Sequence, residues 1–303
     1  MFNTFTHAVR ESVARRRGPL SNGSPAVSRE SGGRQEQEAV VSVVFSVDDG
    51  IADITLDRPE RHNAMTPQMY RDLGDAFAAV RSDPAIRVAI VRGSEPTAFC
   101  AGADLIDSAP GLTRGEFDIS AWDDAHQKNS DVFKPVIAAV DGYCLGGGLE
   151  IMLGTDIRIA ARTAVFGLPE PGVGLVPAGG TLVRLIRQIP YACAMDLLLT
   201  GRRLTAAQAL SFGLISRVVE PAELLTTTRE VATALSRLSQ RSLHVIKMAV
   251  TRLSDLPPSA AFRAEAAYGG LAFRSADAAE GLAAFAEGRP PVFPSTEKPG
   301  APS

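Results

Sequence analysis

Hydrophobic and polar positions fall into blocks along this chain, and the period inside the blocks changes from one to the next. From Val40 to Pro59, VVSVVFSVDDGIADITLDRP holds two β-branched runs parted by Asp48-Asp49-Gly50, which predicts two strands and a turn. Thr66 precedes Pro67 in NAMTPQMYRDLGDAFAAVRSDP, so a helix starts there with a cap and a first-turn proline, and stops before Pro84. Arg87 to Gly93 (RVAIVRG) reads as a short buried strand closed by glycine. In TAFCAGADL, Ala101-Gly102-Ala103-Asp104 predicts a turn; a loop is expected over Ile106 to Phe117 and a helix over Trp122 to Phe133. Pro135 to Val140 (PVIAAV) is a continuous apolar run, followed by Gly146-Gly147-Gly148 and an amphipathic run from Leu149 to Ile159. That is the pattern of strand, tight turn and helix. From Thr205 the helical period takes over, in TAAQALSFGLI, Glu220 to Ser239, Leu243 to Leu253 and Ala260 to Gly288. Strand pairs alternating with helices, then helices alone, predict an α/β domain followed by a helical region.

Segment boundaries follow from the same pattern. Residues 1–38 are rich in Ser, Gly and Arg, lack apolar periodicity and read as a disordered basic extension. A basic, acid-poor leader is compatible with a targeting peptide, but a flexible tail or an upstream start codon accounts for it more simply. Residues 39–204 form the expected core, 205–290 the helical region, and 291–303 a proline-rich tail.

Composition narrows the classes. At 303 residues and 45% hydrophobic, the chain is long enough for a sizeable core in one large domain or two modest ones. A net charge of −3 gives no footprint for nucleic acid. No apolar run approaches the ~20 residues of a membrane span. Cys100, Cys144 and Cys193 are odd in number and far apart, so neither a disulfide framework nor a metal site is expected, and a reducing compartment, the cytoplasm, is. His7, His62, His126 and His244 show no metal-ligand spacing.

The chemistry concentrates between Asp141 and Thr181. Glycines let backbone amides approach a ligand, and the first amides of a helix lack internal partners and sit at its positive end. Such a turn suits an oxygen that becomes negative during reaction. Glu150 follows the glycines, and Glu170 lies in the apolar stretch FGLPEPGVGLVP. A donor turn with two carboxylates suggests proton chemistry beside a carbonyl. The helix dipole is expected to keep Glu150 ionised as a base, and the apolar setting to keep Glu170 protonated as an acid. Pro169 and Pro171 should stiffen the backbone around Glu170. Cys100 and Cys144 read as small buried residues rather than nucleophiles.

At LDRPERHNAM, AFCAGADL, PVIAAVDGYCLGGGLEIMLGTDIRIA, FGLPEPGVGLVPAGGT and SADAAEGLAAFAEGRPPVF the chain resembles the enoyl-CoA hydratase/isomerase (crotonase) superfamily, over residues 40–293. The resemblance implies a spiral of repeated β-β-α turns and a C-terminal helical region that assembles homotrimers or dimers of trimers. It implies an acyl-CoA thioester as substrate, with CoA part of that substrate and no separate cofactor or metal. By resemblance the oxyanion hole is the amides of Ala103 and Gly147, and the catalytic pair is Glu150 and Glu170. Substrate or CoA contacts are implied at Arg58, Arg61, Ala101, Gly102, Asp104, Leu105, Gly146, Phe273, Phe285 and Arg289. An acidic residue after a turn is more often a helix cap, and Asp104 has that reading beside the substrate-facing one. His62 is expected to face solvent or CoA, and the stretch from Phe117 to Phe133 around Trp122 to line or cover the acyl pocket. Three positions depart from the usual pattern: Gly288 and Ile106 stand where lysines are common, and Leu168 where many hydratases carry Gln.

The resulting expectation is an enoyl-CoA hydratase adding water to 2-enoyl-CoA thioesters in acyl-CoA breakdown. The alternatives are an enoyl-CoA isomerase, a dehydratase of a polar acyl-CoA such as carnitinyl-CoA, or a non-catalytic acyl-CoA-binding member.

Overall fold

A computed structural model of the chain describes residues 42–128 and 131–296. The basic extension and residues 297–303 of the expected tail therefore lie outside the described residues.

The predicted hairpin is present: β1 (Val43–Asp48) pairs antiparallel with β2 (Ile51–Leu56) across the Asp49-Gly50 turn. The predicted capped helix follows as α1 (Pro67–Ser82), whose first turn donates the Met69 amide to the Thr66 hydroxyl at 3.1 Å. Its buried positions Met69, Tyr70, Leu73, Ala76, Phe77 and Val80 recur at helical spacing, so one face is committed to the core.

The chain then lays strands alternately into two sheets. β3 (Val88–Gly93), β5 (Val136–Val140), β7 (Ile157–Ala161) and β10 (Arg217–Val219) join β1 and β2 in a six-stranded sheet of order β1-β2-β3-β5-β7-β10, parallel beyond the hairpin. β4 (Ala98–Cys100), β6 (Tyr143–Leu145), β8 (Val165–Gly167) and β9 (Arg203–Thr205) form a smaller sheet in that order. β4 and β6 run parallel with Cys100 opposite Cys144. From β3 to β8 successive strands thus alternate between the two sheets, as in the expected β-β-α spiral. Sheet pairing continues to Val219, past the change of period at residue 205.

Alternation along β3 explains how the large sheet holds two layers. Ala89 and Val91 face the main core with Ile54, Leu56, Phe77 and Phe99. Val88 and Ile90 face a second cluster with Ile137, Ile159 and Ala232, the last on α7 (Leu224–Ser236).

Three expected elements differ. Residues 106–117, expected as loop, contain α2 (Leu105–Arg114). Pro110 and Gly111 are poor helix formers, but Asp104 caps the helix by accepting the amides of Ile106 (3.0 Å) and Asp107 (3.4 Å). The helix expected over Trp122 to Phe133 is instead a 3₁₀ turn (Ile119–Trp122) followed by irregular turns. Gln127 takes a left-handed backbone (φ 51), which a continuous helix does not allow. The run from Leu149 to Ile159 is not one amphipathic helix. α3 (Gly147–Leu153) has only seven residues, all buried, and β7 begins four residues after it ends.

The remaining helices are α4 (Thr181–Gln188), α5 (Tyr191–Thr200), α6 (Ala206–Ser211), α8 (Gln240–Leu253), α9 (Pro258–Phe273) and α10 (Ala276–Glu287). The expected helix over Ala260 to Gly288 is two: Ser275 caps α10 by accepting the Ala278 amide at 3.1 Å. Among the described residues no helix is long and apolar enough to cross a membrane.

Candidate active site

Two segments from successive coils meet where the glycines cluster. Met65 forms a parallel bridge with Ala103: its amide donates to the Gly102 carbonyl and its carbonyl accepts the Asp104 amide, both at 2.8 Å. Ala103, lying between these two contacts, turns its own N–H away from the bridge. Gly147 opens α3, so its amide has no acceptor within the helix. A Cβ on Gly147 would lie 3.4 Å from the Ala103 nitrogen, and one on Gly102 would lie 3.2 Å from the Gly147 nitrogen. The two amides, without a partner among the described residues, are therefore side by side. Glycine is required at Gly102 and Gly146, whose φ values are 102 and 50.

Arg58 and Asp104 hold this turn from behind. The Arg58 guanidinium donates to Asp104 at 2.7 Å and to the Ala64 carbonyl at 3.0 Å. Burial alone would push the Asp104 carboxyl up, but the Arg58 contact and the two capped amides outweigh it and hold it below its usual value. Both side chains thus act within the fold, and the helix-cap reading of Asp104 is correct. Ala101 donates its amide to the His62 carbonyl at 3.0 Å, and Leu105 starts α2 with 39% of its surface exposed. Arg61 and His62 are exposed, His62 with its ring edge-on to Tyr143.

Glu150 lies in the first turn of α3 and is buried. Its Oε1 accepts the Gly179 amide at 2.6 Å and the Thr181 hydroxyl at 3.2 Å. Contrary to the dipole expectation, its position in the first turn of α3 does not lower its carboxyl. Burial pushes its carboxyl up, and the Gly179 and Thr181 contacts offset this only in part. Glu170 opens a 3₁₀ turn (Glu170–Val173) after Pro169. Its Oε1 would lie 2.8 Å from a Cβ on Gly146, and its Oε2 is buried without a partner among the described residues. Burial, and the charge of Glu150, push Glu170 up to about 7, as the apolar setting predicts. Glu150 is thus supplied with donors that favour its charge, whereas the free Glu170 oxygen has none.

Three participants were not foreseen. Tyr70 of α1 is buried, and a Cβ on Gly147 would collide with its hydroxyl. Burial, then the charges of Cys100, Glu150 and Glu170, push its phenol well up, so it stays protonated. Its ring stacks on Trp122 at 3.9 Å and 9°, and Phe117 packs edge-on to Trp122 at 4.8 Å. A tyrosine on the apolar face of a predicted helix was a legible signal, because a buried phenol needs a partner. Gly179 and Thr181 had no such signal.

Phe273 and Phe285 are 80% and 86% exposed on α9 and α10. Arg289 is paired with Glu280 at 2.6 Å and with Glu287 at 2.6 Å. These three are surface residues of the C-terminal region, unlike the buried cluster around Gly147.

The arrangement can hold one oxygen on two amides and handle protons with two carboxyls of unlike surroundings. Comparison with known proteins agrees with that chemistry. The family profile described as enoyl-CoA hydratase/isomerase matches residues 46–296. The enoyl-CoA hydratase EchA19 of Mycobacterium tuberculosis is 42% identical over 245 residues, spanning 79% of this chain and 91% of the relative. A carnitinyl-CoA dehydratase of Salmonella arizonae is 38% identical, spanning 80% of this chain and 94% of its own. The crystal structure of an enoyl-CoA hydratase from Mycobacterium tuberculosis H37Rv superposes with a TM-score of 0.75 at 36% identity, covering 82% of this chain and 97% of that one.

Proposed function

The chain belongs to the enoyl-CoA hydratase/isomerase family, and on that premise we propose that it is an enoyl-CoA hydratase, adding water reversibly to 2-enoyl-CoA thioesters. One observation carries the reading: buried Glu150 and half-buried Glu170, the latter with its Oε2 enclosed, flank a pair of adjacent amides, and Glu150 alone accepts from both Gly179 and Thr181.

The amides of Ala103 and Gly147 receive the thioester oxygen. Polarising that carbonyl makes the β-carbon electrophilic, and the amides hold the negative oxygen that forms as water adds. Losing one such donor costs about 3–4 kcal/mol of transition-state stabilisation. Ionised Glu150 takes a proton from the water as its oxygen bonds to the β-carbon. Protonated Glu170 gives its proton to the α-carbon as the carbonyl re-forms. A group near 7 suits that acid role at neutral pH. No metal or cofactor is needed to balance the step.

Arg61 and Arg289 are the candidates for the CoA phosphates, and Phe273 and Phe285 for contacts with the ligand. Exposed Phe262, Phe273, Leu282 and Phe285 on α9 and α10, each more than 70% exposed, support a trimer or a dimer of trimers built on the C-terminal helices. The free cysteines, two of them buried, support a reducing compartment such as the cytoplasm.

A second reading, dehydration of a polar acyl-CoA, is favoured by the Tyr70 hydroxyl, a buried polar group beside the glycine turn. An isomerase needs one acid–base group to move a proton, so the presence of both carboxyls argues against it. The test follows the absorbance of the conjugated enoyl thioester with short, long and hydroxylated acyl chains, alongside Glu150→Gln and Glu170→Gln. Turnover with uptake of solvent oxygen, lost in both variants, supports hydration. A shifted double bond without oxygen uptake overturns it.

A further inference from the structure

His126 is a fully buried side chain to which the mechanism above gives no role. Neither ring nitrogen has a hydrogen-bond partner among the described residues, an arrangement rare enough to need an explanation. The turn that carries it is firmly held. Arg184 of α4 donates to the His126 carbonyl at 2.5 Å and to the Gln127 carbonyl at 2.6 Å, and the His126 amide donates to Trp122 at 3.1 Å. On one side the ring lies 5.3 Å from that of Tyr70. On the other it meets Gly179, where a Cβ would stand 2.7 Å from its Cε1.

This cradle aims Nε2 at Glu150, 3.9 Å from Oε2. Glu150 already uses Oε1 for Gly179 and Thr181, while Oε2 accepts from no protein donor among the described residues. The separation exceeds a hydrogen bond, so forming one requires the carboxyl and the imidazole to approach each other. We propose that His126 is a positioning residue for Glu150: a neutral imidazole carrying its proton on Nε2 and donating it to Oε2 whenever the carboxylate is ionised.

The surroundings keep the imidazole neutral. Burial, then the charges of Lys128 and Arg184, depress it to about 3, and Asp123 and the Trp122 backbone oppose them without restoring it. Those same cations face Glu150, with Glu170 and the Tyr70 phenol close by. A neutral donor adds no charge to this set. It favours the ionised carboxylate over the protonated one and keeps Oε2 oriented toward the proton it receives. The inference rests on Glu150 being the base of the proposed hydration.

The test uses the full chain with ¹³C-labelled glutamate, the Glu150 carboxyl being assigned through Glu150→Gln. His126→Gln keeps a donor near the Nε2 position, while His126→Asn and His126→Phe remove it. In Asn and Phe variants the Glu150 midpoint is expected to rise by about 0.5–1 pH unit, and in the Gln variant to stay near wild type. The ascending limb of kcat/KM for hydration moves with it, and binding of the saturated ester butanoyl-CoA stays unchanged. An unmoved midpoint in the Asn variant, or an equal loss of activity at every pH in all three, overturns the role. Absence of hydration by the wild type would sink the proposed function instead, and the carboxyl midpoints would still decide His126.

Discussion

A Cβ on Gly146 would stand 2.8 Å from Oε1 of Glu170. The residue that turns the chain into α3 and the acid of the proposed reaction therefore lie close together, and a methyl group on Gly146 would displace the Glu170 carboxyl. Gly146 also has a φ of 50, where L side chains are strained. Gly146→Ala is predicted to cost about 1–3 kcal/mol of stability and to lower kcat/KM roughly 100-fold through displacement of Glu170. Steady-state hydration and thermal melting measure the two effects separately, and unchanged kinetics would sever the link between this contact and the acid.

Because Glu170 is raised to about 7 in the fold from an ordinary 4.5, it fixes two pH dependences. The proposed acid is protonated below 7, so kcat/KM should fall as pH rises through that value. For stability, a carboxyl raised on folding contributes fully below its unfolded pKa, and the contribution disappears as pH rises through the folded one. Glu170→Gln should therefore melt like wild type at pH 4 and above it at pH 8, by at most about 3 kcal/mol. Equal melting at both pH values would show that the carboxyl is not buried as described.

Tyr70→Phe removes a hydroxyl and leaves the stack on Trp122 intact. If the hydroxyl faces only protein, deleting it should be close to neutral for stability, within about 1 kcal/mol. If it contacts the bound acyl group, kcat/KM should drop about tenfold for hydroxylated chains and less for plain ones. A uniform drop over all chains would assign the hydroxyl to the thioester end instead.

Asp104 caps α2 and pairs with Arg58. Asp104→Ala is expected to cost about 1–3 kcal/mol at pH 7. Its carboxyl is held below the usual value on folding, so its contribution is present above the unfolded pKa and is lost as pH falls through the folded one. The gap between wild type and variant should close below about pH 4, and a gap that persists there would mean the cap, not the charge, carries the effect.

The elements with strong local chemistry were legible. Thr66-Pro67 marked the start of α1, Asp49-Gly50 marked the hairpin, and PVIAAV marked a strand buried on both faces. Segments whose conformation depends on distant partners were not. Gln127 is left-handed in a turn clamped by Arg184, 57 residues away in sequence. α3 looked amphipathic because Glu150 interrupts its apolar run, yet the polar group is buried and satisfied by Gly179 and Thr181. Burial raises the Glu150 carboxyl in spite of these two donors. A dipole argument knows the helix position of Glu150, but not that the coil before α4 closes over it.

Ala103 and Gly147 stand in the same place on consecutive coils. Each comes three residues after a member of the Cys100–Cys144 pair that sets β4 against β6. The proposed oxyanion hole is thus a property of strand alignment rather than of either loop. Sliding β6 by one residue would leave both glycine turns intact and still separate their amides. Substitutions that loosen pairing in the small sheet, without changing any residue of the site, can silence the enzyme while the protein remains folded.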